Sequence, residues 1–349
     1  MKASIYTIIA AVVMATTGCR VQREASEARE TTSTDTVYVM SYNIENFFDP
    51  EDDPEKNDED FTPGGAYHWT LTRMKQKARR IARVIASATG SYHTPEIVGL
   101  CEIEGPTATE ELIEMGGLDN GSGTTYRGLC YPTPDKRGIA VAMLYDYSRL
   151  ELLDSRPISV SVPDSGMWTR DVLLGHFRLR TTREDFYVMV NHWPSKYGGA
   201  TETIWKRNHV ADCVRMACDS LLKLDADAKI ILVGDFNDTS DVDALTTHLG
   251  AKTRDNTCTL CNLSDDTEDR SYKYQGAWNT IDHIIVSPGV CANGRPAFNV
   301  VRLPFLLEPD DRYTGDKPKR TYIGRSYNYS ADNNGGYSDH LPVMIKIAF

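Results

Sequence analysis

Short apolar runs rich in β-branched residues recur along the chain at Val37–Ile44, Ile97–Leu100, Ile139–Leu144, Phe186–Val190, Ile230–Val233, Ile281–Val286 and Leu341–Ile347. Their length predicts strands. Between them, apolar residues fall at helical spacing over Arg73–Ser87 and Thr203–Leu224, which predicts two helices with one buried face; a shorter helix is expected after Asp241. Strands alternating with helices predict α/β layers. No internal repeat and no shift in composition marks a second domain.

Two stretches interrupt the pattern. Asp49–Asp60 holds eight acidic residues and one lysine and reads as a solvated loop, since it lacks the ligand spacing of a calcium loop. Leu303–Tyr337 is long, polar and rich in Asp, Arg, Tyr, Asn and Gly; loops of such length in compact domains are often functional, which makes it a candidate wall of a substrate site.

The first residues follow a different logic. Lys2 precedes an apolar stretch, Ile5–Met14, that is too short to span a membrane, and small residues end at Gly18-Cys19. Ala15-Thr16-Thr17-Gly18-Cys19 resembles a bacterial lipoprotein signal, in which the cysteine is acylated and becomes the new N-terminus, although Thr16 stands where such signals carry Leu. An ordinary signal peptide with a coincidental cysteine is the alternative. The expected organisation is a signal peptide at 1–18, a lipid-anchored flexible tether at 19–35 starting at Cys19, and one domain at 36–349. The resemblance implies a location in the bacterial cell envelope, anchored to the membrane and facing the periplasm or the surface.

With 349 residues, 41% of them hydrophobic and 25% charged, the chain can bury a sizeable core and does not have the composition of a disordered protein. Its net charge of -11 supplies no global positive field for a polyanion, which weighs against tight non-specific binding of nucleic acid. A nucleic-acid substrate stays open, because bound cations can make a site locally positive. Apart from Cys19 there are seven cysteines, so at least one stays unpaired within the chain. Cys258-Thr-Leu-Cys261 has the spacing of half a zinc site with nothing to complete it, and reads as a loop disulfide or free thiols.

The chemistry is carried by polar groups placed at strand ends, where a rigid strand holds a side chain at the edge of a cleft. Five such places occur: Ser41-Tyr42-Asn43-Ile44-Glu45-Asn46, Leu100-Cys101-Glu102-Ile103-Glu104, Val190-Asn191-His192-Trp193-Pro194-Ser195, Gly234-Asp235-Phe236-Asn237-Asp238 and Tyr337-Ser338-Asp339-His340. A sixth, Thr280-Ile281-Asp282-His283, sets an acid inside an apolar strand, where an uncompensated carboxylate would be expensive. Singly each has a bland reading: Gly-Asp-Phe-Asn as a turn, Glu102 as a surface residue, His192 as a structural histidine.

Jointly, in order and residue type, the set resembles the endonuclease/exonuclease/phosphatase superfamily over about residues 37 to 349. Gly-Asp-Phe-Asn and the closing Ser-Asp-His are its specific parts. The resemblance implies a four-layered α/β sandwich of two packed mixed β-sheets with helices outside, similar to DNase I, and a metal-dependent phosphoesterase. It implies Glu102 as the main ligand of Mg²⁺ or Mn²⁺, with Asn43 beside it and Asp339 helping to complete the shell; hard oxygen donors suit these ions. Asp235 would orient or deprotonate the attacking water, Asn237 would bond a phosphate oxygen or that water, and His192 would donate to the phosphate or protonate the leaving oxygen. His340 would contact the phosphate or share proton transfer, held by Asp282, although His283 is an alternative to Asp282.

Among further candidates, Arg170 could clamp a phosphate or form a surface ion pair, and Trp193 could stack on a base or pack inside. Lys75, Lys77, Arg79, Arg80 and Arg83 read as a solvated helix face. Arg312, Lys317, Lys319, Arg320 and Arg325 lie close in sequence to Ser-Asp-His and could meet an anionic substrate. The substrate is a phosphoester of a nucleic acid, a lipid or a small molecule, with a nuclease leading over a phosphatase or a sphingomyelinase-like enzyme. A non-catalytic binding lipoprotein is the reading from another class, and it is disfavoured because no ionisable group of the set is missing. No obligate protein partner is evident, and zinc spacing is absent.

Overall fold

The computed structural model describes residues 35–90, 93–119, 125–252, 259–323, 326–327 and 335–349. The expected signal peptide, Cys19 and almost all of the tether lie outside these residues, as do Cys258 and Arg325.

Two mixed sheets form the body. The first has six strands in the order Phe298–Val300, Val343–Ala348, Thr36–Phe47, Ile97–Ile103, Ala140–Asp146 and Tyr126–Cys130. The second has seven, in the order Leu150–Ile158, Val172–Leu179, Asp185–His192, Ile230–Asp235, Asp282–Val286, Leu260–Asn262 and Ala251–Lys252. Period-two alternation decides what each strand face meets. Ile231 and Val233 point into the core between the sheets, whereas Ile230 and Leu232 point outward to Val210 and Val214 of helix Ala200–Leu224. At Gly99 a Cβ would come within 2.8 Å of the Val233 side chain, so the sheets meet there too closely for any side chain.

Helix Leu71–Ser87 covers the first sheet with Met74, Ala78, Ile81, Val84 and Ile85, and the Thr70 hydroxyl accepts the Arg73 N–H at its start. Burial of each of the four larger side chains, Met74, Ile81, Val84 and Ile85, stabilises by about 1.5–3 kcal/mol. This helix and the one at Ala200–Leu224 begin two to three residues before their predicted starts. The helix expected after Asp241 is a single π-type turn, Ala244–His248.

Several elements escaped the pattern, among them the short strands Tyr126–Cys130, Leu260–Asn262 and Phe298–Val300. Helix Pro106–Gly116 begins at a proline after Gly105, and edge strand Leu150–Ile158 exposes much of its length, which hides its apolar signal. Strand Val172–Leu179 carries His176 and Arg178 among its apolar residues. The Asp49–Asp60 loop is not wholly solvated, because Asp58 is buried. Lys77 corrects the solvated-face reading: it is fully buried, and its ammonium donates to the carbonyls of Glu45 and Asn46. Cys261 is disulfide-bonded, while Cys101, Cys130, Cys213, Cys218 and Cys291 are free.

Within each sheet two central neighbours run parallel: Thr36–Phe47 beside Ile97–Ile103, and Asp185–His192 beside Ile230–Asp235. Their C-terminal ends lie at one edge of the sandwich, where open α/β sheets place ligands.

Candidate active site

All the predicted strand-end residues meet at this edge. Asn43 and Glu102 come from the first sheet; His192 and Asp235 are register partners in the second, and Asp282 is the antiparallel partner of Asp235. The two sheets join chemically at Asn43, whose side-chain amide donates to Glu102 Oε1 at 3.2 Å and to Asp235 Oδ2 at 3.0 Å.

Local backbone explains the motifs. The parallel pairing shifts register between Asn43 and Phe47, and the antiparallel pairing shifts between Cys101 and Ile103. Glu45, Asn46 and Glu102 at these bulges, and Asn237 after the second sheet, all have left-handed backbone, with φ of 53°, 55°, 65° and 53°. Bulges re-aim side chains, and such strain in non-glycine residues clusters at functional sites. Gly234 has φ 143°, and a Cβ there would sit 1.8 Å from the Asn191 carbonyl oxygen; the first letter of Gly-Asp-Phe-Asn is thus steric.

Asp235 is almost completely buried. Besides Asn43, it accepts the Asn237 N–H at 2.8 Å and faces Nε2 of His192 at 3.7 Å and of His340 at 3.8 Å. Burial pushes its carboxyl up to about 7 against the pull of His340. His340 Nδ1 lies 2.8 Å from Asp282 Oδ2, which also accepts the Ser271 hydroxyl at 2.6 Å. Burial opposes charge on His340, yet Asp282 and Asp235 raise it well above the ordinary histidine range, which favours its imidazolium form. His192 is driven the other way, by burial and then by Arg170, and is neutral. Its Nε2 lies 4.0 Å from Glu102, and its Nδ1 has no hydrogen-bond partner. Asp282, not His283, faces the site; His283 lies opposite, with Nε2 2.9 Å from the Asp238 carbonyl.

Glu102 accepts the Asn46 N–H at 3.0 Å and keeps 21% of its side chain exposed. Asp339 is held at the mouth by Arg320 at 3.2 Å, whose other end bonds the buried Glu45 at 2.8 Å. Ser338 donates to the Asn43 carbonyl at 2.6 Å, which ties the closing motif to the first strand. Of the other basic residues near that motif, Lys317 pairs with Asp311 and Lys319 is buried.

Two sequence assignments change. Trp193 is fully buried against Phe236, with ring centroids 4.7 Å apart and its indole N–H on Asn191, so it cannot stack on a substrate. Trp193→Ala is expected to lower stability by about 3–5 kcal/mol through the cavity it leaves, with KM in the surviving folded enzyme near wild type; urea unfolding and steady-state kinetics check this. Arg170 is no surface ion pair. It is buried, 3.4 Å from Asp135, and donates to the Trp193 carbonyl at 2.9 Å, an oxygen that also accepts Asn237 Nδ2 at 3.0 Å. It braces the turn behind His192.

Sequence reasoning missed Glu45, Ser271 and Tyr272 as parts of the site, and it offered Arg320 to an anionic substrate, whereas that side chain bridges Asp339 and Glu45. Glu45 lay inside a motif already singled out; Ser271 and Tyr272 carried no signal, since a hairpin brings them in. The Tyr272 ring lies 4.6 Å from that of His340. Burial raises its phenol well above the ordinary range, and Asp339 adds to this. Among the described residues no three His, Cys, Asp or Glu side chains converge into a metal cage.

The family model described as the Endonuclease/Exonuclease/phosphatase family matches residues 38–349. Solved structures share the fold. The mannosyl-6-phosphatase of Bacteroides thetaiotaomicron is 18% identical, with a TM-score of 0.56 over 90% of this chain and 100% of that one. The human nocturnin catalytic domain with bound sulfate is 15% identical, at 0.53 over 91% and 98%. D. rerio TDP2 complexed with a single-strand DNA product is 16% identical, at 0.53 over 90% and 99%. No curated protein matches the chain. With two packed mixed sheets, the expected residues gathered at one edge and the match over nearly all of the described body, the chain belongs to the endonuclease/exonuclease/phosphatase family and is a phosphoester hydrolase.

Proposed function

We propose that the protein hydrolyses a phosphodiester, with a nucleic-acid strand as the leading substrate, by attack of an activated water in the presence of Mg²⁺ or Mn²⁺. The observation that carries this reading is the buried Asp235 carboxylate, joined to Glu102 through Asn43 and facing the imidazoles of His192 and His340. The donor set fits a hard cation through the partly exposed carboxylates of Glu102 and Asp339. Asn43, also expected as a ligand, instead turns its amide nitrogen to Glu102 and Asp235 and its oxygen to the Glu45 N–H, and so positions Glu102. An open set of few carboxylates, completed by water and substrate phosphate, is what Mg²⁺ favours over an all-protein cage. A bound cation would neutralise phosphate oxygens that otherwise repel the nucleophile.

Asp235 accepts the proton of the attacking water, a role suited to a carboxyl shifted towards neutrality. His340, charged and fixed at Nδ1 by Asp282 and through it by Ser271, donates from Nε2 to the phosphate. Neutral His192 donates to a phosphate oxygen or the leaving oxygen, and Asn237 positions the water or a phosphate oxygen. Arg320 keeps Asp339 at the mouth, and Arg170 holds the His192 turn from behind rather than clamping the phosphate.

A second reading, a phosphatase acting on a small phosphomonoester, is favoured by the likeness to the mannosyl-6-phosphatase. A sphingomyelinase-like activity is the lipid variant. Cys19 is proposed as the lipid anchor that holds the enzyme in the bacterial cell envelope. A non-catalytic lipoprotein is disfavoured, because every proposed acid and base is present and assembled.

Hydrolysis of single- and double-stranded DNA, RNA, sphingomyelin and sugar phosphates by the mature protein tests the reading. EDTA is expected to lower the rate at least about 100-fold, and Mg²⁺ or Mn²⁺ to restore it. Turnover that survives EDTA would remove the cation from the mechanism, and turnover confined to sugar phosphates would select the second reading.

A further inference from the structure

The hairpin formed by Tyr272–Tyr274 and Ala277–Asn279 is fastened to the site at its base. Ser271 holds Asp282, its carbonyl accepts the Leu341 N–H at 2.7 Å, and Tyr272 forms a β-bridge with His340. The Tyr272 ring packs on the imidazole. Two residues on, along the same strand face, the Tyr274 ring lies 6.5 Å from that of Tyr272 and within 9° of parallel. Tyr274 is 59% exposed.

This ladder is braced from behind. Lys273 donates to the carbonyls of Thr314 and Asp316 at 3.0 and 2.9 Å and pairs with Asp310 at 2.8 Å, which locks the hairpin to a second one, Leu307–Pro309 with Asp316–Pro318. At the turn, Gly276 has φ 84°, and a Cβ there would strike the Tyr313 ring at 2.7 Å, so Tyr313 packs on the tip. An exposed aromatic ring forgoes the gain of burying its apolar surface, so rigid support for it points to another role. Here it ends a row of rings that starts on His340, with Tyr272 tilted by 33° on the imidazole and Tyr274 near parallel to Tyr272.

We propose that Tyr272 and Tyr274 form a stacking platform for the nucleobase of a nucleotide substrate, so that the site selects phosphoesters whose organic part carries a flat aromatic ring. The proposal rests on the phosphoesterase reading with His340 at the phosphate. It moves to this hairpin the stacking role that the sequence offered to the buried Trp193. Flat faces match a base, and stacking tolerates any base because each has a π-face. A hexose would set its hydroxyls against these faces, leaving them poorly paired.

Calorimetric binding to the mature protein in Mg²⁺ tests the platform, with adenosine 5′-monophosphate, ribose 5-phosphate, phenyl phosphate and mannose 6-phosphate as ligands. The first two differ only in the base. The nucleotide is expected to bind at least about 10-fold tighter than ribose 5-phosphate, the effect of one base on an aromatic ring. Tyr274→Ala should abolish that difference and Tyr274→Phe should keep it. A similar gain for phenyl phosphate supports the platform and widens its class to any aromatic ester. Equal binding of the first two ligands, tightest binding of mannose 6-phosphate, or a base preference that survives Tyr274→Ala overturns it. Metal-dependent hydrolysis of bis-p-nitrophenyl phosphate, followed in parallel, separates this failure from failure of the phosphoesterase reading.

Discussion

Asp235→Asn is expected to lower kcat by about 10³-fold, within the range that a positioned general base contributes, while the protein stays folded. The amide matches the carboxylate in shape and keeps an oxygen for the Asn237 N–H, which bonds Oδ1, while its NH2 takes the place of the Oδ2 that accepts from Asn43. It cannot take a proton. Because burial opposes the native charge, the neutral amide should leave thermal unfolding within a few degrees of wild type. Steady-state kinetics at saturating Mg²⁺ with a melting curve check this. A fall below tenfold would place the base elsewhere.

The second large effect belongs to Glu102. Its left-handed backbone makes glycine the informative replacement, since Glu102→Gly removes the carboxylate and relieves strain instead of adding it. Activity at millimolar Mg²⁺ is expected to fall about 10³-fold, as loss of a cation's charge stabilisation implies, and to recover in part at much higher metal concentration. Thermal stability should hold or rise. A metal titration curve that superimposes on wild type would show that Glu102 is not the principal ligand.

The layered fold and the site were both legible, but for different reasons. Each of the seven apolar runs lies within or overlaps a strand of the two sheets, because full burial leaves long hydrophobic signatures. The strands at Leu150–Ile158 and Tyr126–Cys130 lie at sheet edges, where exposure dilutes that signature. Asn43, Glu102, His192, Asp235, Asp282 and His340 were legible because strand ends fix polar residues at one rim. Trp193 and Lys77 misled, since a side chain next to a site can turn inward and a lysine can bury its ammonium on backbone carbonyls. Tyr272 was illegible, because only hairpin docking, not sequence distance, brings it onto His340.

The order of strands in the first sheet has a consequence for biosynthesis. Val343–Ala348 lies between Phe298–Val300 and Thr36–Phe47, so the opening strand waits for a partner made about three hundred residues later. Pairings so distant in sequence form slowly. Ser338, Asp339 and His340 arrive with that same strand, so a nascent chain can hold Asn43, Glu102 and Asp235 and still lack the imidazolium. With His340 acting at the phosphate as proposed, hydrolysis waits until translation has passed the closing strand, and a chain still emerging from the ribosome is inactive towards the phosphoesters around it.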